Sequence, residues 1–235
     1  MAKKELPDKK ALRGKEKPEQ NDVGGFSGDF SSKISGLSSK IFGIIKFILA
    51  IILLPLVYSS VVSFINEFTQ VDKSLQQIFY NGIISFLAIY LFIWEPAIIY
   101  NKGHKLLEIM FSFFKPMVNV APFLLPIYTI LFFILYGLSN LGVSSHTLDF
   151  FIFLIGFSSI LHLTFSAKTI RSKKGDFLKA NYIFGFSFIF ILNLTLLALG
   201  FSLILREFSF INFCNVSFTI FRNIFLAVFK QLFLF

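Results

Sequence analysis

Five stretches of this chain run for roughly a membrane's width without one Asp, Glu, Lys or Arg: residues 47–65, 74–94, 116–148, 150–167 and 180–205. A hydrocarbon core ~30 Å thick needs ~20 mostly apolar residues at the helical rise. Each stretch therefore fits one span, and 116–148 exceeds what one span needs. None alternates apolar and polar residues as a lipid-facing barrel strand would. A helix is then the element that satisfies every backbone N–H and C=O in lipid. The predicted fold is all-α, a polytopic transmembrane helix bundle of five spans, with six as the alternative. Composition agrees, with 55% hydrophobic residues and 15% charged, where soluble domains carry ~25% charged. The lone Cys214 excludes an intramolecular disulfide and a cysteine-based zinc site. The 35 Phe are read as compositional bias, rising with Ile, Lys and Asn, and not as a binding box.

Residues 1–40 differ in kind. Lys, Glu, Asp, Pro and Gln dominate as far as Asp22, and Gly and Ser from Val23 to Lys40. Neither stretch buries enough apolar surface to offset the entropy of ordering, so a disordered basic tail is expected. The apolar run starts only after Lys46, too far from Met1 for a secretory signal and in keeping with an uncleaved anchor helix. Residues 41–205 form the five-span bundle on this reading. In 206–235, Asn212, Asn215, Thr219, Arg222 and Lys230 fall on one helical face. That pattern suits an amphipathic helix in the interface plane, and a sixth span with a polar seam is its rival.

Five spans divide the connections between two sides. One side holds eighteen Lys and Arg, the other four. Cytoplasmic loops retain Lys and Arg, so the expected N-terminus is cytoplasmic and the C-terminus outside, in a bacterial inner membrane. Lys168, Arg171, Lys173, Lys174 and Lys179 would contact anionic head groups of the bilayer, each worth ~1 kcal/mol near an anionic surface. No nucleic-acid module accompanies these charges, so nucleic acid is not an expected partner.

Polar residues at membrane depth are the candidates for chemistry. They are Glu95, His104, Asn119, His162 and Asn193. Together Glu95, His104 and His162 would make a proton-handling or metal-binding cluster, imidazole acting as ligand and proton switch and the carboxylate as counter-charge. The competing account of a single His in a span is an interhelical hydrogen bond. Pro116, Pro122 and Pro126 punctuate the third run and Pro55 the first, each removing a backbone donor. Such breaks expose carbonyls to ligands in transporters, and elsewhere simply kink helices to fit a bundle.

The stretch from Trp94 to Glu108, with His104-Lys105-Leu106-Leu107-Glu108, resembles the position at which membrane-embedded site-2-type zinc metalloproteases carry Gly-His-Glu-x-x-His. In that family two His face one zinc and the Glu between them activates water. Here Lys105 stands where the carboxylate base belongs and Glu108 replaces the second His. The resemblance thus implies a member without protease chemistry. No serine elbow, phosphate loop or metal-binding Cys/His cluster occurs. The expected function is non-enzymatic and cofactor-free: a scaffold or accessory subunit that contacts lipid and a membrane-protein partner. A small transporter or channel subunit is the alternative, and a divergent metalloenzyme the second.

Overall fold

The computed structural model describes residues 24–93, 95–118, 120–139, 145–172 and 182–233. Residues 1–23 of the expected tail, Asn119, Lys173, Lys174 and Lys179 lie outside them. The chain divides into two compact units, Met1–Phe42 and Gly43–Phe235. The first contributes, among the described residues, a helical backbone from Gly24; the bundle belongs to the second.

The elements are α1 (Gly24–Phe68), α2 (Lys73–Ala88) continued by a π-helical stretch (Ile89–Ile93), α3 (Ala97–Met110), α4 (Lys115–Val118), α5 (Ala121–Leu124), α6 (Ile127–Ser139), α7 (Ser145–Ser172), α8 (Tyr182–Ile204) and α9 (Phe210–Phe233). No strand occurs among the described residues, so the fold is the all-α bundle expected. Among the described residues, five helices are long and apolar enough to cross a membrane: Gly43–Phe68, Lys73–Ile93, Thr147–Arg171, Tyr182–Ile204 and Phe210–Gln231. The number matches, but the set differs. The third apolar run is divided among α4, α5 and α6, of which only α6 is a sizeable apolar helix. The C-terminal segment supplies the fifth long helix and packs along α1.

Contacts fix the direction of each helix. Phe86 meets Phe157 at 5.4 Å and Tyr90 meets Phe165 at 5.9 Å between ring centroids, so α2 and α7 run parallel. Against α7, α6 runs back: Thr129 bonds Ser158 at 2.9 Å and Tyr136 packs on Phe151 at 5.8 Å. Ser63 Oγ donates to the Phe213 carbonyl at 2.6 Å and Ser59 lies 3.4 Å from Ser217, which sets α9 antiparallel to α1. The described helices thus traverse the bundle six times, α1, α6 and α8 one way, α2, α7 and α9 the other.

In hydrocarbon an apolar side chain gains nothing by leaving water, so helices associate through close packing and interhelical hydrogen bonds. Small residues make the tightest crossing. A Cβ on Gly82 would stand 2.2 Å from the Phe153 carbonyl oxygen, and one on Gly156 2.3 Å from that of Phe79. At the α8 face, Gly200 receives the Phe133 ring in the same way. Next to this crossing Phe64, Phe68, Phe79, Phe201 and Phe208 form one ring cluster, with Phe68 5.3 Å from Phe201 and 5.1 Å from Phe79. Many of the Phe residues attributed to composition are therefore core.

Gly82→Val and Gly156→Val are each expected to lower stability by about 1–3 kcal/mol, the usual range for overpacking. Gly137→Ala, where a Cβ meets nothing within 4 Å, should stay within about 0.5 kcal/mol of the parent. Thermal unfolding in detergent measures all three.

Candidate functional site

The third apolar run breaks where its prolines stand. Pro126 has no N–H to return to the carbonyl of Pro122, and Leu125, as the residue before a proline, is held extended at ψ 120. Ile127 N–H bonds the Leu125 carbonyl at 2.9 Å instead of continuing the ladder to Phe123. The carbonyls of Phe123 and Leu124 thus turn to neighbouring helices. An unmade hydrogen bond in lipid costs several kcal/mol, so each needs a donor. From α7, His162 Nε2 lies 3.1 Å from the Phe123 oxygen, and Ser166 Oγ donates to the same atom at 3.4 Å. A carbonyl only accepts, so the His162 proton sits on Nε2. From α8, Asn193 Nδ2 donates to Leu124 at 3.3 Å and to its own Ile189 carbonyl at 2.8 Å.

Helix α3 closes the site on one side. Tyr100 OH lies 3.3 Å from Ser166 Oγ, and its ring stands between those of His104 at 5.9 Å and His162 at 6.0 Å. Burial pushes the Tyr100 phenol above its usual range, against the lowering effect of its bond to Ser166. Tyr128 OH donates to the Ile99 carbonyl at 2.7 Å and ties α6 to α3. Tyr100, His104, Tyr128, Ser158 and His162 line a cavity with room for about one water. Beyond the break, Thr129, Ser159 and Asn193 line a second, with room for about two. Asn193 Oδ1 is buried with no hydrogen-bond partner among the described residues.

The chain matches no family model, no curated protein and no solved structure.

Of the residues singled out from the sequence, His104 and His162 come together across Tyr100, and Asn193 joins them at the break through Leu124. Glu95 does not. It pairs with Lys168 on α7, both exposed. His104 Nε2 lies 3.4 Å from Glu108 one turn along α3. Among the described residues no group of three or more His, Cys, Asp or Glu could hold a metal ion. Arg171 is exposed near the end of α7.

Sequence reasoning missed Ser166 and Thr129, since a hydroxyl inside an apolar run carries no signal by itself, and it missed Tyr100 in the connection after the second run as a partner of Ser166. It also missed Glu67, buried at the end of α1, which accepts from the Ser209 N–H at 3.1 Å and from Asn212 Nδ2. Here a signal existed: Ser59, Ser63 and Glu67 repeat every four residues and mark one polar face of α1.

His162→Leu should cost about 1–3 kcal/mol. Because Ser166 shares the same carbonyl, His162→Leu with Ser166→Ala should cost more than the two single changes added, since only the double variant orphans Phe123. A double-mutant cycle from denaturant unfolding in detergent reads this, and strict additivity would refute the shared-acceptor account.

Proposed function

We propose that the chain is a non-enzymatic integral membrane protein, an accessory or scaffold subunit that presents a helix bundle to a partner within the bilayer. The five long apolar helices are compatible with an integral membrane protein. One observation carries the finer reading: the polar side chains at the centre of the bundle are engaged by the broken segment itself. His162 and Ser166 serve the Phe123 carbonyl and Asn193 serves that of Leu124. Side chains committed to the backbone act as a joint that locks α5 and α6 to α7 and α8. On this reading the likeness to site-2-type proteases is one of layout without hydrolysis. Lys105 is exposed at the place of the general base, and the His104–Glu108 pair is a contact within one helix.

Six traverses bring both ends of the bundle to one side. Counted along that path, Lys73 and Arg206 are the only Lys or Arg at the opposite side, an asymmetry that supports a cytoplasmic N-terminus and a cytoplasmic C-terminus. The C-terminal end would be outside on a five-span count; on this reading, with α9 as a sixth crossing, it is cytoplasmic. Arg171, with Lys173, Lys174 and Lys179 after it in sequence, would then meet anionic lipid on the cytoplasmic leaflet. Gln231→Cys in a Cys214→Ser background should be labelled by an impermeant maleimide only from the cytoplasmic face of oriented membrane vesicles.

The water-sized cavities on both sides of the break favour a second reading, a small transporter or channel subunit. Reconstituted protein should pass no proton, Na⁺ or K⁺ current above that of protein-free liposomes. A flux abolished by His162→Leu or Asn193→Leu would replace the accessory reading with the transport one.

A further inference from the structure

Helix α9 has three faces, and only two of them suit their surroundings. Phe213 and Ser217 are buried against the bundle. Ile211, Phe218 and Phe225 are exposed on a second face, as lipid requires. On the third, Asn215, Thr219, Arg222 and Asn223 are exposed as well. Thr219 Oγ1 satisfies itself on the Asn215 carbonyl at 2.8 Å. Asn212, at the outer end of the same face, is held by Glu67. Arg222 has no ion pair among the described residues.

The depth of Arg222 makes this costly. It is the thirteenth residue of the span Phe210–Gln231, about 18 Å along the helix from its outer end, against a half-thickness of about 15 Å for the hydrocarbon core. The contacts of Ser217 with Ser59 and Ser60 agree, because one further turn of α9 lies level with Pro55, near the middle of Gly43–Phe68. A guanidinium at that depth belongs beside an acceptor or counter-charge, not beside lipid tails.

We propose that this face of α9 packs against a transmembrane helix of a different protein that carries an Asp or Glu at mid-bilayer depth. The chain has no such residue to offer a second copy of itself. Its 13 acidic residues fall in the N-terminal 29 positions, at span ends or in connections, and a two-fold copy would set Arg222 against Arg222. Lipid phosphates lie at the interface, half a bilayer away. Guanidinium and carboxylate form a bidentate pair, and Asn215 and Asn223 add interhelical hydrogen bonds on either side of it. The inference rests on the accessory-subunit reading and names the chemistry of the partner.

The test uses the full chain in neutral phosphatidylcholine vesicles at pH 8, with a donor dye on Gln231→Cys in a Cys214→Ser background. Acceptor-labelled Leu/Ala transmembrane peptides carry Glu, Arg or Leu at their centre. The Glu peptide should associate about tenfold more strongly than the Leu peptide, within the reach of interhelical polar contacts. Arg222→Leu should bring the ratio within twofold, and Arg222→Glu should transfer the preference to an Arg-centred peptide. Both variants should unfold at the parent's temperature, because the side chain is exposed. Equal association of the Glu and Leu peptides, a preference that survives Arg222→Leu, or self-association abolished by Arg222→Leu would each overturn the proposal. Ion flux in the liposome assay would overturn the accessory reading alone, so the two failures are distinguishable.

Discussion

A carbonyl that leaves a helix inside a bilayer has no water to turn to. At Phe123 and Leu124 two consecutive carbonyls do so, because Leu125 is extended before Pro126 and the Ile127 N–H turns to the Leu125 carbonyl instead of to Phe123. Hydrocarbon makes their satisfaction obligatory, and the donors come from α7 and α8. The break therefore dictates which helices must lie beside it and at what height. Once His162 is level with Phe123 and Asn193 with Leu124, α6 is fixed between α7 and α8, and Thr129 reaches Ser158 one turn further on. The proline pair that weakens one helix thereby orders three.

This explains why part of the architecture was legible in the sequence and part was not. Charge-free runs report span length, which is a local property, so four of the five long helices could be read directly. The run 116–148 was also legible as too long for one span, and Pro122 and Pro126 marked its interruption. The partner of each freed carbonyl was not legible, because Phe123 and His162 are 39 positions apart and no single-chain pattern links them. The Gly82–Gly156 crossing was hidden for the same reason. A glycine in an apolar run is ordinary in membrane helices, and only the neighbour's backbone shows that no Cβ fits.

His162 and Asn193 are polar groups buried within the bundle, and the two accounts of them, site or structural hydrogen bond, differ only in what sits on the acceptor side. A protein carbonyl sits there. Glu95 illustrates the opposite case. Its expected depth, shared with His104 and His162, suggested a common cluster, yet Glu95 and His104 lie on opposite sides of Pro96, and Glu95 finds Lys168 near the end of α7 instead.

The C-terminal helix shows how one polar pattern supports two geometries. Asn212, Asn215, Thr219, Arg222 and Lys230 share a face whether the helix lies on the membrane or crosses it, and periodicity does not distinguish the two. Glu67 and Ser63 bind the first turn of α9 to the end of α1 and set the two helices antiparallel along their length, an arrangement that favours a crossing helix. An interfacial helix would have had water and head groups for its polar side. A crossing helix has neither at the level of Arg222, and the bundle face is already occupied by Phe213 and Ser217. The same contacts that place α9 in the bundle thus leave its polar stripe facing outward at mid-depth, where another polar helix would meet its needs.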